Sequence, residues 1–297
     1  MRGRMREIPF PNTGKSLQSV RIVSFAPAFL ISQKSQIFDS FPPGEAFYKS
    51  EFERIFMTPF EMNFTLPRER YDEQGILKPS AMLYMCQVAA GEQCKLLSLD
   101  WDTLQKRNLF WAVIRVRSQI CRLPQFEETV RVVTWPMVTT RSAFPRTTEG
   151  YDKEGNLLFR VTNLWVLVDT VKRGMLLPGR SGVELDGIEL GRELPLPGSI
   201  YPEELPNRTP RRVQQEDIDR NGHVNNTRYI DWMTELLGEA APQLKDLHVV
   251  YHNEALLGDE LVLCWEKTQD KMALEILRSK ADQPEKIDRI FAARAEF

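Results

Sequence analysis

The chain has 297 residues, of which 42% are hydrophobic, and its formal net charge is −2 at pH 7. This balance gives no overall field for nucleic acid, so a charged partner has to be recognised by a local patch. No apolar run reaches the roughly 20 residues that a membrane-spanning helix needs. Four scattered cysteines without a CxxC motif indicate free thiols in a reducing, cytoplasmic setting.

Residues 1–56 differ in composition from the rest of the chain. Six Lys or Arg residues against two acids occur in residues 1–40, and Pro27 interrupts the one short apolar run. We predict a poorly ordered extension here, with the fold beginning near Met57. A signal or plastid-type transit peptide is the weaker alternative, because no clean small-residue cleavage site follows the run.

Residues 57–178 predict a first domain with one buried helix and an antiparallel sheet. A strand at 61–66 precedes a helix at 80–97, which is apolar on most of its circumference, with Ser80 as its N-cap. Gly91 within this helix predicts a close approach to the sheet. Period-2 patterns then predict four strands, the last two joined as a hairpin, at 110–121, 128–135, 144–151 and 156–169.

Residues 179–206 are rich in Pro and Gly and predict a linker, after which 207–297 repeat the order of the first domain. A strand at 207–216 leads into a polar turn and a helix at 227–237, for which Asn226 is the expected N-cap and Gly238 the stop. Strands are predicted at 247–254, 260–266, 272–277 and 286–296.

The polar turn is the most informative stretch, and the chain carries a second version of it. Residues 72–80 align with 219–227: Asp and Gly are shared, but Ile76 stands where the later turn has His223. Farther on, residues 127–130 align with 258–261, which sets Leu123 opposite Glu254. The comparison indicates a duplication in which the second half kept the chemistry and the first half kept the shape.

The motif Asp-x-Asn-x-His-Val-Asn-Asn-x-x-Tyr at 219–229, followed by Glu254 on a later segment, resembles the acyl-ACP thioesterases of plants and bacteria. The phrases at 89–92, 128–136 and 165–169 support the resemblance, which covers roughly residues 57–297. It implies an α+β tandem hotdog fold, in which each half is a long helix wrapped by an antiparallel sheet. It also implies release of fatty acid from acyl carrier protein without a cofactor.

The resemblance transfers the catalytic positions of the family to Asp219, Asn221, His223 and Glu254. Glu254 can accept the proton of a water if burial makes it basic enough, and His223 can orient that water or donate to the thioester oxygen. Asp219 would fix the imidazole or the turn, and Asn221 would hold the carbonyl with backbone N–H groups. Plant members carry a cysteine where this chain has Ala255, so we expect attack by water without an acyl-enzyme.

Simpler interpretations compete with these roles. Asp219 can be only a turn residue, whereas His223 is the strongest assignment because the aligned turn folds with isoleucine. His248 and His252 raise the possibility of a metal site. Their spacing on a strand separates them by roughly 13 Å, so we predict no metal.

The buried helix of the first half is the expected wall of an acyl-chain pocket, although packing of the core explains the same side chains. The candidates are Met82, Met85, Val88 and Ala89. An acidic carrier protein should meet a basic patch, unless these arginines form only a solvated face. The candidates are Arg208, Arg211, Arg212, Arg141 and Arg146.

Two other functions remain open from the sequence. A hotdog hydrolase or dehydratase that acts on acyl-CoA would share the fold, and a non-catalytic acyl-binding protein would tolerate loss of His223 and Glu254. The two halves can pair within one chain in the manner of a hotdog dimer, and two chains can pair again as a homodimer.

Overall fold

A computed structural model of the chain describes residues 59–185, 187–188, 194–280 and 283–297. The predicted N-terminal extension therefore lies outside the described residues. In the described part, no helix is long and apolar enough to cross a membrane.

The first half forms one long helix and six strands. Helix α1 spans Pro79–Leu96, and the short helices α2 and α3 span Trp101–Gln105 and Pro178–Ser181. The strands are β1 Phe60–Phe64, β2 Leu109–Ile120, β3 Val130–Pro136, β4 Phe144–Tyr151, β5 Leu157–Asp169 and β6 Gly174–Leu176. A 3₁₀ turn at Arg68–Arg70 precedes α1. The predicted helix and strands are present to within a few residues, whereas α2, β6 and α3 were not predicted.

The second half repeats this plan with one amphipathic helix and five strands. Helix α4 spans Arg228–Leu237, between 3₁₀ turns at Gln215–Asp217 and Gly238–Gln243. The strands are β7 Asn207–Arg212, β8 Asp246–Tyr251, β9 Glu260–Lys267, β10 Lys271–Lys280 and β11 Gln283–Glu296.

All of these strands join in a single sheet, and the strand order shows the duplication directly. Along the sheet the order is β1-β3-β4-β5-β2 in the first half and then β8-β11-β10-β9-β7 in the second, with β6 beside β5. Each half therefore places its first, third, fourth, fifth and second strands side by side. The halves meet where β2 pairs antiparallel with β8, so that Arg117 lies opposite His248.

One hydrophobic core serves both halves. Helix α1 contacts β1, β3 and α4, and the core combines side chains of α1, such as Met85, with side chains of α4, such as the fully buried Trp232. This shared core makes the two helices the common centre of the molecule. The α+β tandem double hotdog predicted from the sequence is confirmed.

Two details of α1 differ from the prediction. Lys78 is the N-cap and Pro79 is the first helical residue, while Ser80 is buried and makes no capping hydrogen bond. The fixed φ of proline suits the first position of a helix and takes over the start. Gly91 is exposed, and no atom lies within 4 Å of where its Cβ would be, so the expected close approach to the sheet is wrong.

Residues 194–206, the last part of the linker, lie on the face of the sheet opposite to the helices. Ile200 is buried there against Val250 and Ala292. Arg289 donates to the carbonyl of Ile200 at 2.8 Å, and the Nε2 atom of His248 lies 3.2 Å from the carbonyl of Gly198. The segment after residue 194 is therefore held against the seam between the two halves.

Candidate active site

The polar turn of the second half closes through its own backbone. The N–H of Asp219 donates to the carbonyl of His223 at 2.9 Å, and the N–H of Gly222 donates to the carbonyl of Asp219 at 3.1 Å. Gly222 has φ of +83°, a region that residues with a Cβ rarely adopt. Asp and Gly are therefore the residues that shape the turn, and His223 is free to serve another purpose.

The first half contains the same turn without the histidine. The N–H of Asp72 donates to the carbonyl of Ile76 at 2.9 Å, and the N–H of Gly75 donates to that of Asp72 at 3.1 Å. Gly75 also has φ of +83°. The alignment of the two turns predicted from the sequence is confirmed bond by bond.

The loop that faces each turn is duplicated as well. Ile76 forms a β-bridge with Gln125, and His223 forms the corresponding bridge with Leu256. In each loop a carboxylate three residues later accepts the N–H of the bridging residue at 2.9 Å: Glu128 for Gln125 and Asp259 for Leu256. The second alignment is thereby confirmed too, and Glu254 occupies the position that corresponds to Leu123.

This loop brings Glu254 to the histidine. The Oε2 atom of Glu254 lies 3.1 Å from the Nε2 atom of His223, with the two side chains 57% and 28% exposed. Two expectations for Glu254 are wrong. It lies beyond the end of β8 rather than on that strand, because the side-chain amide and N–H of Asn253 bind the carbonyls of Arg289 and Ile290. Its side chain lies at the surface rather than being buried.

Arg278 of β10 supports the loop and was not recognised from the sequence. Its Nη1 atom donates to the carbonyl of Glu254 at 3.1 Å, and its guanidinium also pairs with Asp259 and Asp288. Because β10 is distant from the turn along the chain, no local pattern could identify this residue.

Asp219 and Asn221 interact with each other inside the turn. The carboxylate of Asp219 accepts the backbone N–H of Asn221 at 2.7 Å and its Nδ2 at 3.2 Å. Of the two roles predicted for Asp219, the described contacts correspond to fixing the turn. The amide nitrogen of Asn221 carries two hydrogens, so one remains for a substrate oxygen.

The turn is fastened to α4 by a buried carboxylate. Asp217 accepts the Nε of Arg228 at 2.8 Å and the N–H of Gln214 at 2.9 Å, and its own carbonyl accepts the N–H of Asn225. Thr227 is the N-cap of the helix, and its N–H donates to the Oδ1 of Asn225 at 2.9 Å. The prediction of Asn226 as N-cap is therefore wrong by one residue.

Aromatic side chains lie below the site. Tyr229 stacks on Phe291 with ring centroids 5.1 Å apart, and it contacts Trp232 and Tyr251 edge to face. Burial raises the pKa of Tyr229, whose hydroxyl hydrogen-bonds with the backbone of the fully buried Ala255. This rigid cluster fixes the positions of the turn and of the Glu254 loop relative to each other.

Models of two protein domains match this chain. The acyl-ACP thioesterase N-terminal domain matches residues 58–176, and the acyl-ACP thioesterase C-terminal domain matches residues 202–292. The chain belongs to the acyl-ACP thioesterase family.

Sequence relatives are distant and longer than the region that aligns. The palmitoyl-acyl carrier protein thioesterase of Gossypium hirsutum is 28% identical over 139 residues, 44% of this chain and 34% of that protein. The protein of the same name from Cuphea hookeriana is 28% identical over 192 residues, 59% of this chain and 46% of that protein. The chain thus spans between a third and a half of the length of these relatives.

Solved structures of the family share the fold. An acyl-ACP thioesterase from Bacteroides thetaiotaomicron aligns with a TM-score of 0.70 at 21% identity, over 80% of this chain and 96% of that one. The 12:0-ACP thioesterase from Umbellularia californica aligns with a TM-score of 0.66 at 19% identity, over 82% and 98%. At these identities the likeness supports the tandem architecture alone.

The candidate acyl-pocket residues of this family member lie in the core. Met82, Met85 and Ala89 are fully buried, and Val88 is half-buried and packs against them. Both interpretations of these residues, core packing and pocket wall, therefore stay predictions. A cleft of about 620 Å³ lies in the first half, beside the loop that faces the turn of Asp72 and Gly75, and none of these four residues lines it. Its mostly charged lining consists of Arg122, Gln125, Phe126, Glu127, Glu128, Thr129, Lys153 and Glu154.

The five arginines predicted to receive the carrier protein divide into distinct groups. Arg141, Arg208 and Arg212 are exposed. Arg211 pairs with Glu235 and lies over the ring of Trp232. These contacts hold its charge in a local network.

Arg146 is 5% exposed, so its predicted role as a surface contact for the carrier is wrong. Its Nη1 atom donates to Gln93 at 2.5 Å and to Thr134 at 3.1 Å, and burial lowers its pKa. Its side chain lies under α1. Strand β4 is covered on both faces, so its residues do not alternate between exposed polar and buried apolar side chains.

The described residues contain no group of three or more His, Cys, Asp or Glu side chains arranged to hold a metal ion. His248 lies on β8 opposite Arg117, and His252 directly follows the end of that strand. Burial is the main cause that lowers the pKa of each.

Proposed function

We propose that this chain hydrolyses acyl thioesters of acyl carrier protein and releases the free fatty acid by attack of an activated water. One observation carries the proposal: of two turns with matching backbones, the one in the second half presents a histidine within 3.1 Å of a glutamate. The residues that differ between the halves are those that proton transfer needs.

The reaction follows from the positions of the polar groups. Glu254 accepts a proton from water while His223, whose Nε2 atom lies 3.1 Å from the Oε2 atom of Glu254, orients the water toward the thioester carbonyl carbon. The carbonyl oxygen of the thioester becomes negatively charged and is stabilised by the remaining side-chain N–H of Asn221. The C–S bond then breaks, the thiolate takes the proton from Glu254, and a carboxylic acid and the carrier thiol result. Asp219 keeps Asn221 in place throughout.

The acyl chain is assigned to the apolar surroundings of α1, where the buried Met82 and Met85 have flexible side chains that can adapt to different chains. The carrier, an acidic protein, is assigned to the exposed Arg208 and Arg212 of β7, which leads directly into the 3₁₀ turn and the polar turn. Exposed arginines steer an acidic partner by long-range attraction.

The experiment is thiol release from acyl carrier protein loaded with acyl chains of different length and saturation, with acyl-CoA as a second donor. His223→Ala and Glu254→Gln are each expected to lower kcat by about 10²–10⁴-fold, the usual contribution of a general acid or base. Circular dichroism of both variants should match the wild type, since neither side chain lies in the core.

Each rival function predicts a different result in the same assay. Preference for acyl-CoA over the carrier-bound thioester would assign the site to an acyl-CoA hydrolase. Acyl binding without thiol release would assign it to a binding protein. Near-full activity of either variant would exclude the assignment of the catalytic pair.

A homodimer and a cytoplasmic location stay predictions. Pairing of β2 with β8 joins the two halves within one chain. The edge strand β7 carries Pro210 among its arginines, a composition that discourages pairing with another strand. Light scattering of the purified chain measures whether two copies associate.

A further inference from the structure

An arginine of the catalytic turn contacts the other half of the molecule. Arg220 lies between Asp219 and Asn221, and its guanidinium carbon is 4.5 Å from the ring centroid of Trp101. This distance is within the range of a cation–π contact, to which tryptophan offers the most favourable ring. Trp101 belongs to α2 of the first half, so the contact spans the two halves at the site.

The first half holds Trp101 on a fixed support. Asp100 caps α2 by accepting the N–H groups of Asp102 and Thr103 at 3.0 and 3.3 Å. Leu104 of the same helix is fully buried in the core. A short helix fixed at its start and through its buried face is a firm platform for the ring.

Neither member of this pair has a counterpart in the other half. The turn of the first half has Glu73 at the position of Arg220. The carbonyl of Glu73 accepts a hydrogen bond from Arg68, which belongs to the same half. Where the first half has α2 with its tryptophan, the second half has the 3₁₀ turn Gly238–Gln243, which contains no aromatic residue. The contact therefore involves the turn that carries His223, and the turn of the first half has no equivalent of it.

We propose that Arg220 and Trp101 form a brace that positions the catalytic turn, so that the thioester of an acyl chain bound along α1 meets His223 and Glu254. The inference rests on the proposed function, because it assigns the acyl chain to the first half and the reacting groups to the second. Arg220 is a positioning residue: it acts through Asp219 and Asn221, its neighbours in the turn.

The test is a double-mutant cycle with Arg220→Ala and Trp101→Leu, measured by thiol release from a loaded carrier. Each single variant is expected to lower kcat about tenfold, since a small misplacement of reacting groups has effects of this size or larger. The double variant should also lose about tenfold, because residues that act as one unit are not additive. Trp101→Phe keeps a ring face and should stay within about threefold of wild type.

Arg180→Ala serves as the matched control, since Arg180 is also an exposed arginine but lies on α3, and its kcat should be unchanged. Multiplicative loss of about a hundredfold in the double variant, or an unchanged kcat in either single variant, would overturn the brace. A raised KM at constant kcat for Arg220→Ala would also overturn it and make Arg220 a contact for the carrier.

Hydrogen exchange followed by mass spectrometry separates this inference from the proposed function. Amides of residues 217–224 should exchange faster in both Arg220→Ala and Trp101→Leu than in the wild type, because the turn loses its support. This readout needs no substrate. If the wild type releases no thiol from any donor, the proposed function fails, and unchanged exchange would still reject the brace.

Discussion

The two halves of this chain build the same turn, but only the turn of the second half places a histidine beside a glutamate. Asp72 and Gly75 reproduce the hydrogen bonds and the positive φ of Asp219 and Gly222. Ile76 replaces the histidine, and a buried leucine replaces the glutamate. The aspartate and the glycine are the residues that this turn needs for its shape, because both halves share them while the histidine and the glutamate are present only in the second.

The largest effect is expected where the second half fastens its turn with a charge. Asp217→Asn removes a buried carboxylate from the guanidinium of Arg228, which keeps its pairing with Asp231, and losing a hydrogen bond to a charged group costs about 1.5–3 kcal/mol. We expect the free energy of unfolding to decrease by about 2–3 kcal/mol in urea denaturation.

The first half provides the control for this variant. Arg70 occupies the position that corresponds to Asp217, and it lies 4.5 Å from the ring of Tyr84 near the surface. Arg70→Ala should cost about 0.5–1 kcal/mol, the range of an exposed cation–π contact. Equal costs in the two halves would contradict the view that only the second half anchors its turn through a buried charge.

A smaller and shared effect is expected for the two glycines. Gly75→Ala and Gly222→Ala each place a Cβ at φ of +83°, which costs roughly 1–2 kcal/mol in either half. Gly222→Ala should also lower kcat, whereas Gly75→Ala should change stability alone. Thermal unfolding and thiol release on both variants check this, and equal loss of activity would show that the two turns are coupled.

The smallest effect concerns the seam, where Arg117 and His248 occupy corresponding positions on β2 and β8. Burial lowers the pKa of His248 below 6.5, and Arg117, Arg115 and Arg294 lower it further. The unfolded chain binds that proton more readily, so stability falls as the pH decreases below about 6.5. His248→Gln should reduce the loss of Tm between pH 7 and pH 5 by about 1–2 °C. An identical loss in the variant would contradict this source of the pH dependence.

Much of this comparison could be predicted from the sequence because the duplication left two aligned copies. Aligning Asp72 with Asp219 and Glu128 with Asp259 brought Ile76 and His223 to one position and Leu123 and Glu254 to another. Both alignments then appeared as matching β-bridges. The helix and strands were predictable because each has several turns or several alternations of pattern.

Other features of the site were beyond local patterns. The five-residue helix α2 is too short to show a period, so the sequence gives no signal for Trp101. Arg278 reaches the Glu254 loop from a distant strand. Arg146 was placed on the surface because its charge is visible in the sequence, whereas the covering of β4 on both faces depends on the tertiary fold.

We propose that the turn of the second half reacts and that the turn of the first half only holds its shape, and exchanging the residue that differs between them tests this proposal. Thiol release from the loaded carrier by His223→Ile should fall by about 10²–10⁴-fold while the variant stays folded, because isoleucine already occupies this position in the first half. Ile76→His should leave kcat unchanged. Retained activity in His223→Ile, measured on folded protein, would contradict the account.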